Sequence, residues 1–222
     1  MRSTTSELNW SGTVTYTAER VVRPSSIDEA AQVVADADRV HGLGTRHSFN
    51  DVADTAGTLL DLTGIPTDLV VDAEHRTVTL GAGTRYGDVA ADIDRAGFAL
   101  HNTGSLPHIS VGGAVATGTH GSGTTLGSLA TAVRAFEVLG PDGTARTVDR
   151  TDPAFDGAVL HLGLLGIVTR VTLDVEPAYR MRQDVTARSP GTPSRRTSPR
   201  CTPPPTRCAP TRCSATRSPR SW

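Results

Sequence analysis

Lysine is absent from the 222-residue chain; all 22 basic side chains are arginine. This excludes a Walker-type phosphate loop, whose lysine reaches the phosphates, and Schiff-base chemistry on a lysine. Cysteine is missing from the first 200 residues, so the body carries no disulfide framework from which a redox compartment could be read. Long apolar runs are missing too. The most apolar stretch, residues 158–168, is interrupted by His161 and is too short to span a bilayer. Residues 1–10 have neither an apolar core nor a cationic start, so no secretory signal is visible. The resulting expectation is a cytoplasmic, soluble protein without membrane insertion, and the length suits about one domain.

What acid there is lies in one part of the chain. Residues 1–187 hold 14 Arg and all 23 acids, a net of −9, whereas residues 188–222 hold 8 Arg and no acid. That last stretch also carries 8 of the 14 Pro and all three Cys, and it lacks Val, Ile, Leu, Met, Phe and Tyr. Without aliphatic side chains it cannot bury enough apolar area to offset its ordering entropy, and it is expected to be disordered. Three readings of it compete. A basic tail binds nucleic acid by neutralising phosphates. Cys201, Cys208 and Cys213 raise the question of metal, but no His accompanies them and no Cys-x-x-Cys occurs. The reading preferred here is a slipped frame, because Arg/Pro/Ser/Thr/Cys bias is what a GC-rich message yields out of frame. No nucleic-acid partner and no metal are therefore assigned.

The body reads as an α+β domain. Thr13–Tyr16 alternates and leads through Val21–Val22 to Pro24 as an extended entry. Ser26-Ile27-Asp28-Glu29 has capping-box spacing. Ile27, Ala30, Ala31, Val34 and Ala37 then recur at helical period, which predicts a helix of about 12 residues. Arg39–Leu43 and Leu59–Leu62 are predicted strands. Leu69–Asp72 and Thr77–Leu80 form a predicted hairpin. Val89, Ala90, Ile93 and Ala96 line a second helix stopped at Gly97. Val133–Leu139 and Thr144–Val148 flank the turn Pro141-Asp142-Gly143. Alternation from Ile167 to Val175 predicts a strand with one buried face.

Three glycine-rich stretches remain. Gly163-Leu164-Leu165-Gly166 is satisfied by ordinary turns. Residues 42–48 and 112–123 are less easily explained that way. Small residues interleaved with Ser and Thr let a ligand approach the backbone, where successive N–H groups attract an anion. In a body at −9 such neutral donors have to supply the attraction. Neither stretch has the Rossmann spacing, since His47 stands where the third glycine would fall after Gly42-x-Gly44. A Ser-His-Asp hydrolase is disfavoured because no Gly-x-Ser-x-Gly elbow occurs.

Five blocks in order carry a resemblance: Asn9-Trp10-Ser11-Gly12; Gly44-Thr45-Arg46-His47-Ser48-Phe49-Asn50; Ser105-Leu106-Pro107-His108-Ile109-Ser110-Val111-Gly112-Gly113; Ala116-Thr117-Gly118-Thr119-His120-Gly121-Ser122-Gly123; and Gly166-Ile167-Val168-Thr169. Over residues 8–182 the chain resembles the FAD-linked oxidases of the vanillyl-alcohol oxidase type, and within them the alditol (xylitol) oxidases and sugar-lactone oxidases.

The resemblance implies a PCMH-type FAD-binding domain over residues 8–185, made of two small α/β subdomains, with the substrate (cap) domain missing and residues 188–222 a disordered tail. It implies FAD as cofactor, joined covalently through His47. Gly42, Leu43, Gly44, Thr45, Arg46, His47 and Ser48 would cradle the pyrophosphate. Ser105, Ser110, Gly113, Ala114, Val115, Ala116 and Thr117 match the stretch that lines the flavin, with Ser105 near the substrate. Ile167 matches a residue on the adenine side. Some alditol oxidases have Gly where Arg46 stands, and Arg has less φ freedom. His108 and His120 are either ligand contacts or side chains satisfied within the glycine-rich core. The implied reaction oxidises the primary alcohol of a polyol, or a sugar lactone, with dioxygen to give hydrogen peroxide, in a protein that is a monomer when intact. The general base is expected beyond residue 185, so none is assigned. The competing expectation is a catalytically inactive fragment that binds FAD weakly or not at all.

Overall fold

The computed structural model describes residues 7–123 and 125–180, together with the backbone of Ser218–Pro219. The expectation of a disordered, out-of-frame tail therefore falls almost wholly outside the described residues.

The first layer is a three-stranded sheet in the order β1 (Arg20–Val22), β3 (Thr58–Asp61), β2 (Val40–Leu43), with both pairings parallel. Parallel strands need a crossover, and α1 (Ile27–Asp36) carries the chain from β1 to β2, leaving between them the place that β3 fills. Ser26 caps this helix by accepting the N–H of Glu29 at 3.1 Å. The return half of the capping box is shifted by one residue. The Glu29 carboxylate accepts the N–H of Ser25 at 2.7 Å and its hydroxyl at 2.8 Å. These bonds hold its pKa below the usual value. Ala30 and Val34, four apart and thus on one face, are buried against the sheet side. The helix stops after ten residues, two short of the sequence expectation, because Ala37 is already extended.

The second layer is antiparallel: β4 (Val70–Asp72), β5 (Thr77–Gly81), β9 (Ile167–Pro177), β7 (Val133–Leu139) and β8 (Ala145–Asp149) lie side by side in that order. A further strand, β6 (Phe98–Leu100), pairs with the far end of β9. The 11-residue β9 is central, and Ile167, Thr169, Val171, Leu173 and Val175 point inward as the alternation predicts. Helix α2 (Tyr86–Arg95) buries Tyr86, Val89 and Ile93, whereas Ala90 and Ala96 lie exposed. The expected apolar stripe thus begins one turn earlier, at an aromatic residue, and ends before Gly97, whose φ is +87°. One apolar core joins Val34 of the first layer to Leu80, Ile93, Val138 and Leu173 of the second. The β7–β8 turn reaches back to α1: a Cβ on Gly143 would lie 2.6 Å from the Ala31 carbonyl oxygen.

Three features depart from the sequence reading. The expected extended entry enters a sheet only at β1; before it, Leu8 and Thr15 form a single bridge, and the Asn9 side chain accepts the N–H groups of Thr13 and Val14. Within the second glycine-rich stretch, Val111–Ala116 is a short helix, α3, since its Ala and Val side chains are buried. The strand β6 and a four-residue helix, α4 (Phe155–Ala158), are too short to show a period in sequence.

Candidate functional site

A cleft of about 300 Å³ lies where the end of β2, the start of α3 and the turn before β9 converge. Its first wall is the loop 42–48. After the buried Leu43 the chain passes Arg46 at φ +64°, a left-handed conformation that costs a non-glycine residue about 1 kcal/mol. The N-terminal segment holds it there. The Arg46 guanidinium pairs with Glu7, the Trp10 N–H donates to the Arg46 carbonyl at 2.9 Å, and the Asn9 amide donates to the Ser48 carbonyl at 3.0 Å. Asn9, only 3% exposed, is thus the brace of the loop, which explains why Asn9-Trp10 and His47-Ser48 occur together in one sequence pattern.

The loop holds His47 between two rings. Trp10 lies 4.8 Å and His108 4.6 Å away, centroid to centroid. Nε2 of His47 is buried and has no protein partner, and the same is true of Nε2 of His108. Burial first, and His108 second, push the His47 pKa below the ordinary value, so its imidazole is neutral near pH 7. The N–H groups of Thr45, Arg46, His47 and Ser48 donate to no acceptor among the described residues.

The second wall is α3. The loop and α3 approach so closely that a Cβ on Gly44 would stand 3.1 Å from Ser110 Oγ, and one on Gly113 would stand 2.9 Å from the same atom. Ser110 is fixed by its N–H, which donates to Thr45 Oγ1 at 3.2 Å, while its hydroxyl is buried without a partner. The first two amides of α3 are already taken: Val111 N–H by Thr84 O at 2.8 Å, and Gly112 N–H by Ala82 O at 2.9 Å. The Ala114 N–H is taken too, by Ser110 O at 3.0 Å, so the unbonded side-chain donor of this wall is the Ser110 hydroxyl.

The third wall is the turn 161–166. His161 Nδ1 accepts the Gly163 N–H at 2.9 Å, and His41 Nε2 lies 3.2 Å from the Leu162 carbonyl oxygen. Gly163, at φ +85°, has its Cα against the His41 ring, where a Cβ would come within 2.2 Å of Nε2. Burial, and then His41, lower the His161 pKa.

Of the residues singled out in sequence, Gly42 to Ser48, Ser110, Gly113, Ala114, Ala116, Thr117 and Ile167 border the cleft. Val115 is turned into the core at 4% exposed, and Ser105 stands exposed away from the cleft wall. His120 is exposed and bonded to its neighbour's carbonyl, so it is neither a cleft residue nor part of the core. Tyr16, His41, His161 and Gly163 also border the cleft and were not foreseen. The two histidines sit in separate elements joined only by the fold, and the glycine looked like a plain turn residue. Among the described residues no Asp or Glu borders the cleft, although residues 1–187 are strongly acidic, and the one cation among them that does, Arg46, is paired with Glu7. The arrangement suits an anion held by neutral donors, beside an uncharged imidazole. No group of residues fit to hold a metal occurs among the described residues, and none of their helices is long and apolar enough to cross a membrane.

Comparison with known proteins agrees with this geometry. Residues 18–149 match the family model described as "FAD binding domain". The chain is 46% identical over 189 residues to an alditol oxidase of Streptomyces sp., a match covering 84% of this chain and 46% of that protein. It is 34% identical over 181 residues to an L-gulonolactone oxidase of Bos taurus, covering 79% of this chain and 41% of that one. It thus spans less than half the length of these relatives. Among solved structures, a cholesterol oxidase from B. sterolicum superposes with a TM-score of 0.70 at 21% identity, over 81% of this chain and 38% of that one, which shows a shared mixed α/β fold. On this footing the chain belongs to the FAD-binding domain family of flavin-linked oxidases.

Proposed function

We propose that this chain is the FAD-binding portion of an oxidase that acts on the primary alcohol of a polyol, or on a sugar lactone, with dioxygen as acceptor and hydrogen peroxide as product, and that FAD is bonded to His47. The observation that carries the reading is the set of unsatisfied groups around one cleft: Nε2 of His47, the Ser110 hydroxyl, and the N–H groups of Thr45 to Ser48. Buried polar groups in folded proteins find partners, so the orphaned His47 Nε2 and Ser110 hydroxyl, beside unbonded amides on half-buried residues, support a ligand site here.

The residues fit FAD. The amides of 45–48 would hold its diphosphate without a lysine. Gly44 and Gly113 leave the space that a Cβ would fill, and Ile167 and Gly163 bound the far end. When bound, FAD supplies a hydride acceptor that dioxygen reoxidises. The chain's own part is to keep the His47 imidazole neutral, with a lone pair available for bonding to carbon. Trp10 and His108 would fix the plane of its ring from either side. The relatives whose names specify alditols and L-gulonolactone support the substrate class. The test is mass spectrometry of the peptide carrying His47 after incubation with FAD in air. A peptide increased by the mass of FAD less two hydrogens supports the linkage, and an unmodified peptide from a protein that binds FAD removes it.

A second reading, an FAD-binding chain without turnover, is favoured by one observation. Trp10, Phe49 and Leu106, at 59%, 74% and 37% exposed, leave the neighbourhood of His47 open to water. A peroxide assay on the FAD-loaded chain with xylitol and with L-gulonolactone separates the two, since this reading gives no peroxide above the buffer rate.

A further inference from the structure

We infer that the Tyr16 hydroxyl is a donor to the diphosphate of the bound dinucleotide, and so belongs to the cofactor site although it lies outside every glycine-rich block. This rests on the FAD reading above. Tyr16 is 5% exposed, and its ring is fixed in a small apolar cluster with Leu43 and Leu59, flanked by Val14 and Ala53. Its N–H donates to the Glu7 carbonyl at 2.8 Å, which sets the ring beside the segment that braces the 42–48 loop. The hydroxyl is buried, has no hydrogen-bond partner, and belongs to a residue on the cleft wall.

The surroundings specify what the hydroxyl would meet. Leu43, Val52 and Ala53 beside it offer no acceptor from their side chains. Asp54, the nearby carboxylate, already accepts from the N–H and hydroxyl of Thr17 and the N–H of Thr55. Burial holds the phenol pKa above its ordinary value, with a smaller opposing effect of Arg46 and a smaller raising effect of Asp54. Tyr16 is therefore a donor, not a phenolate, throughout the physiological range. In that state it is a neutral donor, as the unbonded amides of 45–48 are, and it belongs to a residue lining a cleft with no carboxylate among its described lining residues. An anionic ligand satisfies all of them together. The flavin ring and adenosine carry acceptors too, so the ³¹P resonance is the readout that identifies the diphosphate as the partner.

The decisive comparison uses the full chain in a His47→Ala background, where FAD binding is reversible, with and without Tyr16→Phe. Removing an unsatisfied buried hydroxyl leaves the FAD-free protein as stable as before or more so, whereas losing a bond to a charged acceptor weakens binding about tenfold or more. The expected outcome is an unchanged or higher Tm without FAD, an FAD Kd raised at least about tenfold, and a shifted ³¹P resonance of the bound diphosphate. An equal Kd with unmoved ³¹P resonances overturns the inference while leaving the FAD reading intact. A lower Tm without FAD assigns Tyr16 a structural role and overturns it as well. If the folded His47→Ala parent binds no FAD, the reading beneath falls, and this inference with it.

Discussion

Gly112→Ala tests how α3 is seated, and through it how the cleft wall is placed. A Cβ at residue 112 would stand 2.7 Å from the Cβ of Ala82 and 3.1 Å from its carbonyl oxygen. Neither neighbour can swing away. Ala82 has no further side-chain atoms to move, and its carbonyl accepts the Gly112 N–H at 2.9 Å. The contact is relieved only by lifting α3 from the β5 end, a form of overpacking that costs about 1–3 kcal/mol. A helix favours Ala over Gly by about 1 kcal/mol, so the net loss falls near 0–2 kcal/mol. In a chain of this size that corresponds to a Tm lowered by up to about 8 °C. The larger effect falls on the site, because Ser110 and Gly113 travel with the helix and lose their seat on Gly44. FAD affinity is expected to fall by more than the stability loss alone would give. Removing the opposing Cβ with Ala82→Gly restores part of it, as coupled neighbours do. Thermal melts and FAD titrations of the two single variants and the double variant decide the matter. Parental FAD affinity in Gly112→Ala, or additive effects in the double variant, would refute the argument.

Other outcomes follow from the same geometry. Asn9→Ala removes the acceptor of the Thr13 and Val14 N–H groups and the donor to Ser48; it is expected to lower stability by about 1–3 kcal/mol in a denaturant melt and to weaken FAD binding. Ser26→Ala removes the α1 cap and is expected to cost about 1 kcal/mol with no effect on FAD, measured by the same two assays. His47 and His161 both have pKa values lowered by burial, so the unfolded chain binds their protons more readily. Their neutral forms support folding above the unfolded value of about 6.5, and that support is lost as pH falls from there through their lower folded values. The slope of stability against pH is expected to flatten over this window in a His47→Gln/His161→Gln double variant. His108→Ala, by removing the second cause of the shift, is expected to move the His47 titration upward in ¹H NMR.

Much of this was legible in the chain itself because the signals are local. Ser26 and Glu29 mark a helix start, Pro141-Asp142-Gly143 marks a hairpin, and the alternation from Ile167 to Val175 marks the central strand. The loop 42–48 was legible for a different reason. Its glycines and His47 form a contiguous pattern, and Asn9-Trp10, which braces it, is a pattern as well. What stayed hidden depends on tertiary approach. Gly112 and Gly113 gave no hint of α3, since their lack of side chains serves the contacts with Ala82 and Ser110, which no local rule reveals. Tyr16, His41 and His161 enter the cleft from three separate segments. Val115 shows the converse, because a site stretch on a helix necessarily turns some of its members inward.

The central claim is that a cleft built from glycines and unpartnered donors between the two sheets binds FAD. Equilibrium dialysis of FAD against the purified, folded chain and against its Gly113→Val variant tests it most directly, since the added side chain begins with a Cβ only 2.9 Å from Ser110 Oγ. One FAD per chain for the parent and a severe loss in the variant is the predicted result; a folded parent that binds none, or a variant that binds as well, would contradict it.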